Sequence, residues 1–111
     1  MSGISPSSDF GSPLYAPVIA SASGATTVVT NTSTQKIRVM AANVIASNAV
    51  NVKWQTSSGA DITGLAYLAI NGGYILPYNP IGWFETVATD NLVINLSGAI
   101  PVGGHITYIL A

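Results

Sequence analysis

The chain has 111 residues, three basic and four acidic, so charged residues make up 6% of it where soluble domains carry about 25%. That length corresponds to one domain with one hydrophobic core. A net charge of -1, with only Lys36, Arg38 and Lys53 on the basic side, leaves no cationic patch for nucleic acid or an anionic membrane, and the absence of cysteine excludes disulfides and thiolate metal ligands.

So few charges leave Ser, Thr, Asn and Gln to supply most of the polar surface, whereas the surface of a free monomer usually carries abundant charge. The composition suits a protein that works inside an assembly. The mean hydropathy of +0.48 does not signal a membrane span. No run of about 18 apolar residues occurs, and the richest segment, IRVMAANVIASNAV, is broken by Arg38, Asn43, Ser47 and Asn48.

Residues 1–14 are rich in Ser, Gly and Pro, with isolated Ile4, Phe10 and Leu14. Such a segment builds no core element alone, so it is expected to be either a flexible tail or an extended arm that docks on a partner. MSGISPSSDFGSP has neither a basic n-region nor an apolar h-region; no signal peptide is expected, and synthesis is expected in the cytoplasm.

Over residues 15–111 the pattern has mostly a period of two, which predicts an all-β domain, either an antiparallel β-sandwich or a jelly-roll-like barrel. GATTVVTNT alternates Thr with Val. KIRVMA sets Ile37, Val39 and Ala41 against Arg38 and Met40. VNVKWQT sets Val50, Val52 and Trp54 against Asn51, Lys53 and Gln55. NLVINLS places Leu92, Ile94 and Leu96 on one face, and HITYILA does the same with Ile106, Tyr108 and Leu110. One core face opposite one mixed face is the pattern of packed antiparallel sheets.

VMAANVIASNAV has enough alanine to compete as a helix, but its Val, Ile, Asn and Ser disfavour one, so a bulged strand is expected. Turn chemistry separates the strands at residues 31–34, 57–59, 71–73, 89–91 and 98–104. Between LAYLAI and YILP, the Asn-Gly of NGG predicts a type I′ hairpin.

The catalytic inventory is short: Asp9, Asp61, Glu85, Asp90, His105, two lysines and one arginine. No GxSxG elbow accompanies His105, which follows VGG and is expected to open a strand without acting as a base. Four scattered acids do not make a hydrolytic pair, although Glu85 and Asp90 could meet across a hairpin. One histidine and no cysteine give no metal cluster, and the paired glycines lack the lysine and helix of a phosphate loop. The expectation is a protein that is not an enzyme and binds no cofactor or metal.

The densest aromatic stretch is NGGYILPYNPIGWFET, residues 71–86, with Tyr74, Tyr78, Trp83 and Phe84 and a single charge, Glu85. Pro77 and Pro80 stiffen it. Trp83 and Phe84 are neighbours, so on a strand they face opposite sides; one enters the core, with Trp54 as a companion, and the other requires a cover. Closure of one end of the sandwich and contact with a partner are both open readings. Phe10, Leu14, Tyr15, Tyr74, Tyr78, Pro80, Trp83 and Phe84 are the candidate interface residues, because aromatic side chains concentrate at the centres of protein contacts.

An aliphatic strand after Lys36-Ile37-Arg38, the strand NVKWQT, the run NGGYILPYNPIGWFET, then LVINLS and a final VGGHITY together resemble small virion proteins of tailed bacteriophages. The resemblance spans about residues 35–110 and departs at ATDNL, where a Gly-Glu turn is expected. It implies a β-sandwich head decoration or cement protein. Such proteins commonly form homotrimers on the outer capsid surface and clamp subunits of the major capsid protein of the same virion; this one would be made in the host cytoplasm. Each copy would bury on the order of 1,000 Å² or more against its neighbours, with the gain multiplied by symmetry. Neither nucleic acid nor membrane is expected as a partner.

Two other readings remain open at this point. A tail, neck or fibre component would also be β-rich and oligomeric. A small carbohydrate- or receptor-binding module would instead stack sugar rings on Tyr78 and Trp83, with Asn79 and Glu85 as polar neighbours.

Overall fold

In the computed structural model, which describes residues 12–111, the strands are β1 (Leu14–Ala20), β2 (Gly24–Val29), β3 (Ile37–Ala46), β4 (Val50–Thr56), β5 (Ala66–Leu68), β6 (Gly73–Leu76), β7 (Phe84–Glu85), β8 (Leu92–Leu96) and β9 (Val102–Leu110). They form two antiparallel sheets. Sheet A runs β1-β9-β3-β6, with β7 also on β3, and sheet B runs β2-β8-β4-β5. The protein is an antiparallel β-sandwich. No helix among the described residues is long and apolar enough to cross a membrane.

Period-two patterning produces the core. In β4, Val50, Val52 and Trp54 are buried while Asn51, Lys53 and Gln55 stay at the surface. They meet Leu92, Ile94 and Leu96 of β8 and, from sheet A, Val18, Ile37, Val39, Val44 and Ile106. Each fully buried Val, Leu or Ile contributes about 1.5–3 kcal/mol, against about 0–1 kcal/mol for an exposed ion pair. The apolar interior holds the sheets together, and the scarcity of charge costs the fold little.

Strand β3 is a strand and not a helix, as expected, and it is bulged. Val39 pairs with Tyr108 and Ala41 with Thr107, leaving Met40 as the extra residue. The bulge reverses the phase of the alternation. Ile37 and Val39 face inward before it, and Ala42, Val44 and Ala46 after it. The expectation that Ala41 shares the face of Ile37 and Val39 is therefore corrected to Ala42.

The NGG hairpin is also corrected, since β5 pairs with β4 and β6 with β3. The turn carries the chain from one sheet to the other. The Gly72 amide donates to Ala69 O at 2.8 Å, and only Asn71 has a positive φ, 56°. That is the pattern of a type II turn, with the left-handed residue at its third position. At the other glycine pair, β9 begins at Val102 and includes Gly103 and Gly104, so His105 sits inside a central strand and does not open it. A Cβ on Gly104 would strike the backbone carbonyl of Asn43, so this position requires glycine.

Strand β1 starts at Leu14, one residue before the expected boundary, because Leu14 pairs with Tyr108. The remainder of the expected arm, with Phe10, lies outside the described residues.

Candidate interaction surface

Residues 73–85 run antiparallel along β3 and form a broken edge of sheet A. β6 pairs with Ala42–Ile45 and β7 with Arg38–Val39. Between them residues 77–83 arch over the bulge, tied down by Asn79 N to Met40 O at 2.9 Å and Trp83 N to Val39 O at 2.8 Å. The arch contains the turn Asn79-Pro80-Ile81-Gly82. Asn79 Oδ1 accepts from Ile81 N at 3.0 Å, Gly82 N donates to Asn79 O at 2.9 Å, and Gly82 has φ 94°. Asn at the first, Pro at the second and Gly at the fourth position are the residues a type I turn favours. Proline in this edge also blunts it against further strand addition.

Trp83 and Phe84 divide as their adjacency requires. Phe84 points inward, its ring centroid 5.6 Å from that of Trp54. Trp83 points outward, 43% exposed, with Nε1 donating to Pro77 O at 2.8 Å. Tyr74 also turns inward, where its hydroxyl accepts from Trp54 Nε1 at 2.9 Å. Burial holds the Tyr74 hydroxyl above its usual pKa, with the Trp54 bond opposing the shift.

Of the candidate interface set, Tyr74 and Phe84 are half buried, with their rings packed toward the core. Tyr78, Pro80 and Trp83 remain outward, joined by Ile81. Leu14 is part-exposed beside a recess of about 240 Å³ shared with Ser12, Gln35 and Leu110. Tyr15 is 75% exposed and belongs to a different surface, the outer face of sheet A.

That outer face is the surface the aromatic search missed. Besides Tyr15 it carries Ile19, Ile45 and Ile75, each more than half exposed, with Pro17, Asn43, Gly103, His105 and Thr107 between them. None is acidic, lysine or arginine. The charges gather at one end, where Glu85 bonds Lys36 at 3.0 Å and Arg38 at 2.9 Å. The Lys36 hydrogen bond, helped by Arg38, holds the Glu85 carboxyl below its usual range. The signal was present in the sequence: Val18-Ile19, Val44-Ile45 and Tyr74-Ile75 are consecutive apolar pairs, and on a strand each such pair puts one apolar side chain on each face.

The other two acids among the described residues stand apart and accept hydrogen bonds within the fold. Asp61 accepts from Gln55 and Lys53, which lower its pKa in that order. Asp90 accepts from Thr56 Oγ1 at 2.6 Å and Ser58 N at 3.0 Å, and these bonds lower its pKa. Glu85 and Asp90 do not share a partner. Among the described residues no three His, Cys, Asp or Glu gather to hold a metal ion.

Comparison of the chain with protein-family models, curated proteins and solved structures finds no match.

Proposed function

We propose that this protein is a structural component of a tailed-bacteriophage virion, a head decoration or cement protein that stabilises the shell by binding major capsid subunits on its outer surface. The observation that supports it is the outer face of sheet A, where Tyr15, Ile19, Ile45 and Ile75 stand exposed with no full charge among them. On a free monomer, contiguous apolar patches beyond a few hundred Å² are rare and mark interaction sites. In an assembly such a surface is a contact. The resemblance of residues 35–110 supplies the kind of assembly.

The role is additive binding without chemistry. Tyr78, Ile81 and Trp83 on the arch offer a second apolar contact near the Lys36–Arg38–Glu85 cluster. One surface would meet a capsid subunit and the other would meet a neighbouring copy. Deleting the coding sequence from the phage that carries it tests the reading. Heads should still assemble but release their DNA at a lower temperature than complete heads. Heads of unchanged thermal stability, with infectivity lost at adsorption, would instead assign the protein to the tail or fibre.

A further inference from the structure

The outer face of sheet A is complementary to itself, and we propose that it joins two copies of this chain face to face about a two-fold axis. The inference goes beyond the virion reading and rests on the face alone, and its two-fold pair departs from the homotrimer that the resemblance implies. Its basis is the order of side chains across the sheet. Hydrogen-bonded register places Ile19, Gly103, Ile45 and Gly73 in one row over β1, β9, β3 and β6. The next row is Pro17, His105, Asn43 and Ile75.

A two-fold axis parallel to the strands, between β9 and β3, lays each row on its own reverse. Ile19 then faces Gly73 of the second copy, and Gly103 faces Ile45. Every large side chain of the first row meets a glycine. In the second row, Pro17 faces Ile75 and His105 faces Asn43, an apolar pair and a polar pair. The alternative axis, across the strands, sets isoleucine on isoleucine and glycine on glycine, which leaves gaps. Packed sheets rotate by about 30° against one another. The rotation displaces the outer pairs and spares the central Gly103–Ile45 pairs, which lie nearest the axis.

The receiving side is already hollow. A recess of about 340 Å³ lies between Ile45, Asn71, Gly73, Tyr74 and Ile75, on the β6 side where Ile19 of the second copy arrives. Gly73 in its wall is fixed as glycine, since a Cβ there would strike the backbone carbonyl of Val44 on β3. The ridge on β1 and the recess beside β6 are at opposite edges of one face, as a two-fold contact requires.

The area suffices. Scaling roughly 150–250 Å² per large side chain by its exposure gives on the order of 600 Å² for Tyr15 and the three isoleucines. With Pro17, Gly103 and His105 the face reaches the roughly 800 Å² per partner of a standard interface. With no Asp, Glu, Lys or Arg between Tyr15 and Ile75, no carboxylate, ammonium or guanidinium loses its hydration unpaired.

Sedimentation equilibrium of the full 111-residue chain over a dilution series tests this. The expected species is a reversible dimer of twice 11.4 kDa. Gly103→Val is the diagnostic variant. Within one copy a Cβ there meets nothing closer than Val18 O at 3.9 Å, so the fold accepts it, while the added side chain strikes Ile45 of the second copy. The variant is expected to keep or raise its melting temperature and to weaken dimerisation at least tenfold. Adding Ile45→Ala to Gly103→Val should recover dimerisation.

A monomer at every concentration, a trimer, or a dimer indifferent to Gly103→Val would overturn the proposal. So would failure of the double variant to recover. A full-length monomer that dimerises only after removal of residues 1–11 would assign the face to that segment and overturn it equally.

Discussion

Trp54 Nε1 donates a 2.9 Å hydrogen bond to the Tyr74 hydroxyl, linking a fully buried residue on an inner strand of sheet B to the edge strand of sheet A. Beside it, the Phe84 ring packs on Trp54 from the other half of the same broken edge. The aromatic stretch thus fastens one sheet to the other through a single tryptophan, and presents Tyr78, Ile81 and Trp83 outward from the arch between those two attachments.

Tyr74→Phe removes the acceptor and leaves a buried indole N–H without a partner. The expected loss is about 1–3 kcal/mol, or about 4–8 °C of Tm for each kcal/mol in a domain near this size. Differential scanning calorimetry measures it. A Tm within 1 °C (roughly 0.2 kcal/mol on that scale) of the parent protein would show that the bond contributes nothing to stability.

Trp83→Ala and Phe84→Ala separate the two roles of adjacent residues. Phe84→Ala opens a cavity against Trp54 and is expected to cost about 3 kcal/mol, the lower end for a buried aromatic because Phe84 is only half buried. Trp83→Ala loses the Pro77 hydrogen bond and exposed area, about 1 kcal/mol, and should weaken attachment to capsid shells. Urea titrations and co-sedimentation with stripped shells give the two readouts. Glycan binding lost in a Trp83→Ala protein of unchanged melting curve would favour the carbohydrate-binding reading.

Much of this arrangement was legible in the sequence. The faces of β4 and β8 follow from alternation, because one set of positions is apolar and the other polar or mixed. The Asn79-Pro80-Ile81-Gly82 turn is not among the expected turns, because Pro77 and Pro80 read only as stiffening an extended stretch; adjacency does predict that Trp83 and Phe84 part company. Which of them turns inward depends on where Trp54 lies across the sandwich, a contact between distant segments that no local pattern carries. The outer face of sheet A was hidden for a related reason. In Val44-Ile45 and Tyr74-Ile75 both faces are apolar, so alternation no longer says which side is buried, and the Met40 bulge moves the phase by one residue. Register across four strands, which creates the Ile–Gly rows, exists only in the folded sheet.

Thr89→Gly should stabilise the protein. Thr89 is β-branched and sits at φ 72° in the turn that carries the chain from Val87 to Asp90. Left-handed backbone costs an L-residue about 1–2 kcal/mol, and the greater unfolded-state freedom of glycine returns about 0.5–1 kcal/mol of that. A net gain on the order of 0.5–1 kcal/mol in urea denaturation is expected. A destabilised Thr89→Gly protein would show that the Thr89 side chain contributes more than its backbone costs.

Stability should fall at both ends of the pH scale. Asp61, Glu85 and Asp90 have lowered pKa values in the folded protein, so their contribution is present above the ordinary carboxylate values and lost as pH falls through the folded ones, below about pH 4. Tyr74 has a raised pKa, so its contribution is present below its ordinary value of 10.0 and lost as pH rises past the folded one. Melting temperature against pH should show a plateau between these limits. Glu85→Gln should shrink the acid-side decline and leave the alkaline side alone; a decline centred near neutrality would contradict the assignment.

The copy number of this protein in purified particles tests the central claim most directly. Virions of the phage that carries its coding sequence would be banded by density, and the protein quantified by mass spectrometry against the major capsid subunit. A decoration protein is expected at a copy number comparable to that of the capsid subunit, and lost together with the shell when heads are separated from tails. Absence from the banded particles, or a few copies that remain with the tails, would contradict the account.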